Sequence, residues 1–234
     1  LAALTAGRAL PAPRAILFDW DNTLVENWLT VQAALNAALA AAGRAPLDLE
    51  QVKLQARHSS RDIFPKLFGN DWERARALFY AHFGLHHLAG LSVMPGAEAL
   101  LDACREERLP LAVVSNKQGE TLRREIAHLG WADRFAGAVG SQDAPADKPD
   151  PAPVHLALEN LDMIAAPDIW LVGDTDVDMR AAVAAGCSPI LIGPGPEDPA
   201  LLAGVEPALR CHNCRDLAGF LREGRHTISR VNLE

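Results

Sequence analysis

A chain of 234 residues, 49% of them hydrophobic, can bury a full core, so it needs no disulfide or metal staple merely to fold. Its 22 basic residues against 30 acidic ones give a net charge of -8, which argues against a nucleic-acid backbone as partner unless the fold gathers a local basic patch. Four unevenly spaced cysteines argue against a secreted disulfide framework and fit a reducing, cytoplasmic setting, and no apolar run approaches the ~20 residues needed to cross a bilayer.

Residues 1–13 are small and apolar, with their basic residues after the apolar part, the reverse of a signal peptide; they read as a loose leader. Ala15 to Asp19 is then the first of five short apolar runs that end in polar or acidic residues. The others are Leu111 to Asn116, Ala138 to Ser141, Ile169 to Asp174 and Pro189 to Ile192. Strands buried on both faces look like this, and helix-like stretches separate them. The pattern predicts an α/β fold, an open parallel sheet flanked by helices. Ligands bind beyond the carboxyl ends of such strands, where Asp19, Ser115 and Asp174 fall.

Between the first two strands lie residues 20 to 110, far more than the ~10 to 12 that a crossover needs. Thr30 to Ala42, Leu47 to Arg57 and Asp71 to Leu88 read as helices, predicting an inserted helical cap over residues 26–92. The core is then 14–25 together with 93–234. An insertion there overhangs the ligand cleft and is a candidate lid. Its densest polar cluster is Arg57-His58-Ser59-Ser60-Arg61, where Arg57 and Arg61 either grip a second acidic or hydroxylated group of a substrate or solvate a helix end. His82 and His86 share a helix face and, with His87, read as a surface group or, if a further ligand joins them, a metal site. Pro95-Gly96 breaks the chain before a core helix over Ala97 to Glu107, and Gly193-Pro194-Gly195-Pro196 forces a turn after the last of the five strands. Cys211 and Cys214 have zinc-knuckle spacing with no second such pair, so packing competes with metal or redox work.

The chemistry concentrates at strand ends. Asp19 and Asp21 stand two apart after a buried strand, so both can face one cleft, where a shared proton or a divalent cation must relieve their repulsion. Asp174, Asp176 and Asp178 follow a later strand and favour the cation. Oxygen ligands alone suit a hard ion, with Mg²⁺ the first choice. Ser115 offers a hydroxyl near backbone N–H groups at a helix start, and Lys148, between prolines and acids in Asp147-Lys148-Pro149-Asp150-Pro151, offers a positive charge; both suit phosphate oxygens.

An acid pair, a small hydroxyl, a lysine and a second acid group, in that order and at strand ends, resemble the four motifs of the haloacid dehalogenase-like hydrolases from Ala15 to Gly193. The stretch from Pro95 through Val113-Val114-Ser115-Asn116-Lys117 is most similar to the phosphoglycolate phosphatase branch, which has a helical cap. The resemblance implies a Rossmann-like core and Mg²⁺-dependent hydrolysis of a small phosphate monoester, with Asp19 as nucleophile and Asp21 as acid and base. It implies a metal held by the Asp19 side chain, the Asp21 carbonyl and the Asp174 side chain, with Asp178 behind them, and substrate binding by Ser115, Asn116 and Lys148. Keeping an acid at Asp21 favours phosphate-ester hydrolysis or a phosphosugar mutase over carbon–halogen chemistry; a non-catalytic module that binds a phosphometabolite is the alternative of another class. Asn22 stands where relatives usually have glycine, and asparagine is the least penalised replacement if φ is positive there. The expected partner is a small phosphorylated metabolite, with no nucleic acid and no membrane, and the expected state a monomer or homodimer.

Overall fold

The computed structural model of the chain describes residues 3–4, 10–55 and 60–231, with the backbone alone for 3–4 and 224–231. The elements in chain order begin with β1 (Ala3–Leu4), β2 (Ala15–Phe18) and β3 (Val25–Glu26), then α1 (Trp28–Ala41), α2 (Leu49–Gln55), α3 (Ser60–Phe68) and α4 (Trp72–His86). β4 (Ser92–Val93), α5 (Ala97–Glu106), β5 (Leu111–Gln118), α6 (Gly119–His128), β6 (Gly137–Ser141) and α7 (Ala152–Glu159) follow. The chain closes with β7 (Ile169–Gly173), α8 (Asp176–Ala185), β8 (Ser188–Ile192), β9 (Leu209–Cys211) and α9 (Cys214–Val231).

The main sheet runs β1-β9-β8-β7-β2-β5-β6, with every neighbouring pair parallel except β1 against β9. This is the expected open sheet. Strand periodicity explains its two layers: Ile16 and Phe18 face one side with Val113, Trp170 and Val172, under α5, α6 and α9. Ala15 and Leu17 face the other, with Ala112, Val114 and Leu171, under α7 and α8. Each fully buried Ile, Leu or Phe contributes about 1.5–3 kcal/mol, so continuous apolar strands are what this double covering selects.

The helices α1 to α4 form a separate layer with its own core, including Leu35, Leu39, Val52, Phe64 and Phe68. The layer joins the sheet through a two-stranded hairpin, Val25 against Val93 and Glu26 against Ser92, and the Met94 N–H donates to the Leu24 carbonyl at 2.9 Å. α3 was not legible, because Pro65 interrupts it; the proline N–H is missing there, yet Ile63, Phe64 and Phe68 are still buried along one face. The span read as a loose leader contributes two residues to the sheet edge, while Leu10 packs on the core and the Pro11 carbonyl accepts the Trp170 indole N–H at 3.1 Å. Cys211 and Cys214 are buried, and the Cys214 thiol donates to the Thr23 carbonyl. Burial pushes these thiols up, to about 12 and about 11. Among the described residues no helix is long and apolar enough to cross a membrane.

Candidate active site

Sheet register builds the site. Phe18 of β2 lies level with Val113 of β5 on one side and Val172 of β7 on the other. The next residues along the strands are Asp19 just beyond β2, Val114 and Ser115 still within β5, and Gly173, the last of β7, followed by Asp174; Ser115 thus lies inside a strand that runs on to Gln118 and not at the helix start expected from the sequence. Three adjacent strand ends thus deliver the predicted side chains to one crevice, where the strand order reverses around β2.

Lys148 closes the arrangement. Its ammonium donates to Asp19 Oδ1 at 2.7 Å, Asp178 Oδ1 at 2.6 Å and the Val114 carbonyl at 2.7 Å. Burial pulls the lysine pKa down, but Asp178 and Asp19 more than offset it, so the group stays charged above the ordinary lysine value. Asn116 fixes its backbone: the amide donates to the Lys148 carbonyl at 2.9 Å and accepts the Lys148 N–H at 2.9 Å. The Ser115 hydroxyl accepts the Lys117 N–H at 3.2 Å.

Carboxylate oxygens of Asp19, Asp174 and Asp178 lie within 4.8 Å of one another. Burial pushes Asp19 up to about 7, with Lys148 pulling it back and Asp178 pushing it further. Burial raises Asp174 as well, helped by Asp178 and Asp19. Three carboxylates converging on one ammonium leave excess negative charge, and an all-oxygen donor set is what a hard divalent cation takes. Within the cluster Asp178 is the most engaged, since its Oδ2 also accepts the Thr175 N–H at 3.1 Å and the Thr175 hydroxyl at 2.7 Å. Asp176, by contrast, pairs with Arg180 at 3.5 Å.

Asp21 faces the cleft with a side chain 33% exposed, and its carboxylate is turned to Lys117 at 2.7 Å, outside the three-acid cluster. Burial raises its pKa; Lys117 lowers it and Glu125 raises it. Asn22 has φ 61°, the left-handed turn that asparagine tolerates, and the Thr23 hydroxyl donates to Asp19 Oδ2 at 3.4 Å. Trp20 points away from the cleft and is fully buried, edge-on to Trp131 and Phe135.

The cavity between sheet and helical layer has a volume of about 1180 Å³. Asp19, Asp21, Ser115, Asn116, Lys148, Asp174 and Asp178 line it from below, and Trp28, Leu35, Phe64, Phe79 and Phe83 line it from above. Arg61 is not among the described lining residues. Its guanidinium meets Asp147 at 3.4 Å and the Pro145 carbonyl at 3.2 Å, so it bridges the helical layer to the loop that carries Lys148. Arg57 lies outside the described residues. His82 and His86 sit together with ring centroids 5.0 Å apart, but His87 is fully buried beside Glu125 and belongs to neither a surface group nor a metal site with them. Sequence reasoning passed over Lys117 and Glu125; the one available signal was a carboxylate between Leu122 and Ile126 on the buried face of α6.

A family model for haloacid dehalogenase-like hydrolases matches residues 16–192. The chain belongs to that family. A relative from Rhodospirillum rubrum named phosphoglycolate phosphatase is 34% identical over 78% of this chain and 80% of its own. Another of that name from Chromobacterium violaceum is 31% identical over 81% and 89%. The solved structure of a haloacid dehalogenase-like family hydrolase from Streptococcus pneumoniae superposes with a TM-score of 0.79, at 20% identity, over 89% of this chain and 98% of that one, which supports the family fold.

Proposed function

We propose that this member of the haloacid dehalogenase-like family is a phosphatase that hydrolyses a small phosphate monoester, phosphoglycolate or a related metabolite, through a phosphate ester on Asp19. The observation that carries the reading is the Lys148 ammonium, held between Asp19 and Asp178 at the mouth of three strand ends, with Asp174 alongside. A carboxylate approaching a phosphate dianion meets repulsion, and a fixed ammonium beside it offsets that charge without reorganising. Relatives named phosphoglycolate phosphatase support the ester class.

In the first step an Asp19 oxygen attacks phosphorus, the ester P–O bond breaks, and Asp21 gives its proton to the departing alkoxide. In the second, Asp21 takes a proton from water, the hydroxyl attacks phosphorus, and inorganic phosphate leaves with Asp19 restored. The Ser115 hydroxyl and the Lys148 ammonium are suited to phosphate oxygens, and Asn116 serves by clamping the Lys148 backbone. Asp19, Asp174 and the Asp21 carbonyl would hold Mg²⁺, with Asp178 keeping Lys148 in place behind them. Such an ion, when bound, supplies charge neutralisation on the phosphate oxygens. Arg61, engaged on Asp147, is left out of substrate binding.

Rapid acid quench with ³²P-labelled phosphoglycolate tests the reading. The expected result is label on the wild-type chain, none on Asp19→Asn, and inorganic phosphate as product. Phosphate release without any labelled chain overturns the covalent route, and an isomerised phosphate ester as product points to a mutase instead.

A further inference from the structure

Glu125 is a carboxylate with no exposure on the apolar face of α6. A charge there costs several kcal/mol unless it is paired and hydrogen-bonded, and an apolar pair of similar volume would serve stability as well or better. Its oxygens are instead fully engaged by donors. Oε2 accepts the Trp20 indole N–H at 2.7 Å and the Lys117 ammonium at 2.7 Å, while Oε1 accepts His87 Nδ1–H at 2.8 Å. Lys117 donates a further hydrogen bond, to Asp21 Oδ1 at 2.7 Å, and its ammonium stands 5.6 Å from the centre of the Phe83 ring. The ammonium is therefore gripped from below by Glu125 and covered from above by α4, and it meets Asp21, an acid that lines the cleft outside the three-acid cluster.

His87 carries the chain of contacts to the root of the helical layer. It follows α4 directly, its carbonyl accepts the Asn27 side-chain N–H at 2.9 Å, and Asn27 is the residue before α1. The first and last helices of the layer thus meet at His87. His87 Nε2 and Asn27 Oδ1 are both buried at this junction, with no hydrogen-bond partner among the described residues.

We infer that Lys117, held by Glu125 and through it by His87, is a positioning residue for Asp21, and that it ties the place of the proton donor to the root of the helical layer. The inference rests on the reading of Asp21 as acid and base. A protonating group must lie within hydrogen-bond reach of the leaving oxygen, and a displacement of about 1 Å costs roughly 100-fold. A side chain fixed by a buried ammonium meets that demand where a free aspartate rotamer does not.

The contrast between two leaving groups tests it. An alkoxide needs a proton in the first step, whereas 2,4-dinitrophenolate does not. For Lys117→Met, single-turnover cleavage of 2-phosphoglycolate should fall about 100-fold with KM within about twofold, while the burst of dinitrophenolate from 2,4-dinitrophenyl phosphate changes less than about threefold. Asp21→Asn is the reference and should split the two esters in the same way. Equal loss on both esters, or loss on neither, in Lys117→Met overturns the inference while a split in Asp21→Asn leaves the acid assignment standing; no split in Asp21→Asn removes that assignment and the inference with it. His87→Leu, remote from the cleft, should show a milder split of about five- to tenfold, and His87→Asn, whose amide N–H can replace Nδ1–H, should restore the wild-type ratio. Identical behaviour of the two His87 variants overturns the tie to the helical layer.

Discussion

Lys148 Nζ stands 2.7 Å from Asp19 Oδ1, a contact between residues 129 apart in sequence that brings a buried ammonium against the carboxylate at the end of the central strand. The contact gives the site a fixed positive charge, and it makes Asp19 separable from the fold, because an amide oxygen can accept the same hydrogen bond.

Asp19→Asn should therefore lower kcat by at least about 1000-fold while leaving the melting temperature within about 3 °C of wild type. Turnover of a phosphate ester panel and thermal unfolding measure the two quantities. Near-wild-type turnover would defeat the assignment of Asp19 as nucleophile.

Burial pushes the Asp19 carboxyl up to about 7, against an ordinary value of 3.8. Between those values the folded chain keeps a proton that the unfolded chain has released, so this group's contribution to stability is present below about pH 4 and is lost as pH rises through about 7. A cation must displace that proton, so the rise in melting temperature on adding Mg²⁺ should be larger at about pH 8 than at about pH 5, with EDTA reversing both the shift and turnover. A shift that is the same at both pH values, or no shift at all, removes Asp19 from the metal site.

A Cβ added at Gly173 would collide with the Asp178 side chain at Cγ. Asp178 cannot swing aside cheaply, since three donors hold its oxygens. Gly173→Ala should cost about 1–3 kcal/mol by denaturant unfolding and lower kcat by about tenfold or more as Lys148 loses an anchor. Unchanged turnover would show that Lys148 keeps its place without Asp178.

Arg61→Ala should alter KM for 2-phosphoglycolate by less than about threefold and stability by less than about 1 kcal/mol, because its guanidinium is engaged on Asp147 and the Pro145 carbonyl. A tenfold rise in KM with kcat held would return Arg61 to the substrate.

The legible residues were those whose meaning lies in chain position. Asp19, Ser115 and Asp174 each close an apolar run, and a parallel sheet carries run ends to one edge, so sequence order and site geometry coincide. Lys148 was readable from its place among prolines and acids. The family match over residues 16–192 agrees with the span from Ala15 to Gly193 that carried the resemblance. What stayed hidden depends on pairs that only folding creates. For Arg61 the sequence left substrate binding and solvation of a helix end open and held no sign of its contact with Asp147, and His87 read as a surface group together with His82 and His86, which are more open to solvent. Lys117 carries no local mark of Glu125, and Pro65 hid a helix that tertiary burial of Phe64 and Phe68 sustains.

The hairpin of β3 and β4 has a consequence for modularity. Because Leu24 and Met94 already share a 2.9 Å hydrogen bond, the chain leaves the sheet and returns to it at a single point. A turn of about two to five residues could splice those ends and delete the four helices, or a foreign segment of any length could be grafted there, without asking the strands beneath to change register. An exchange of that kind keeps the covalent junction but forfeits the contacts of His87 with Glu125 and of Arg61 with Asp147, so a foreign roof must supply its own ties to the floor.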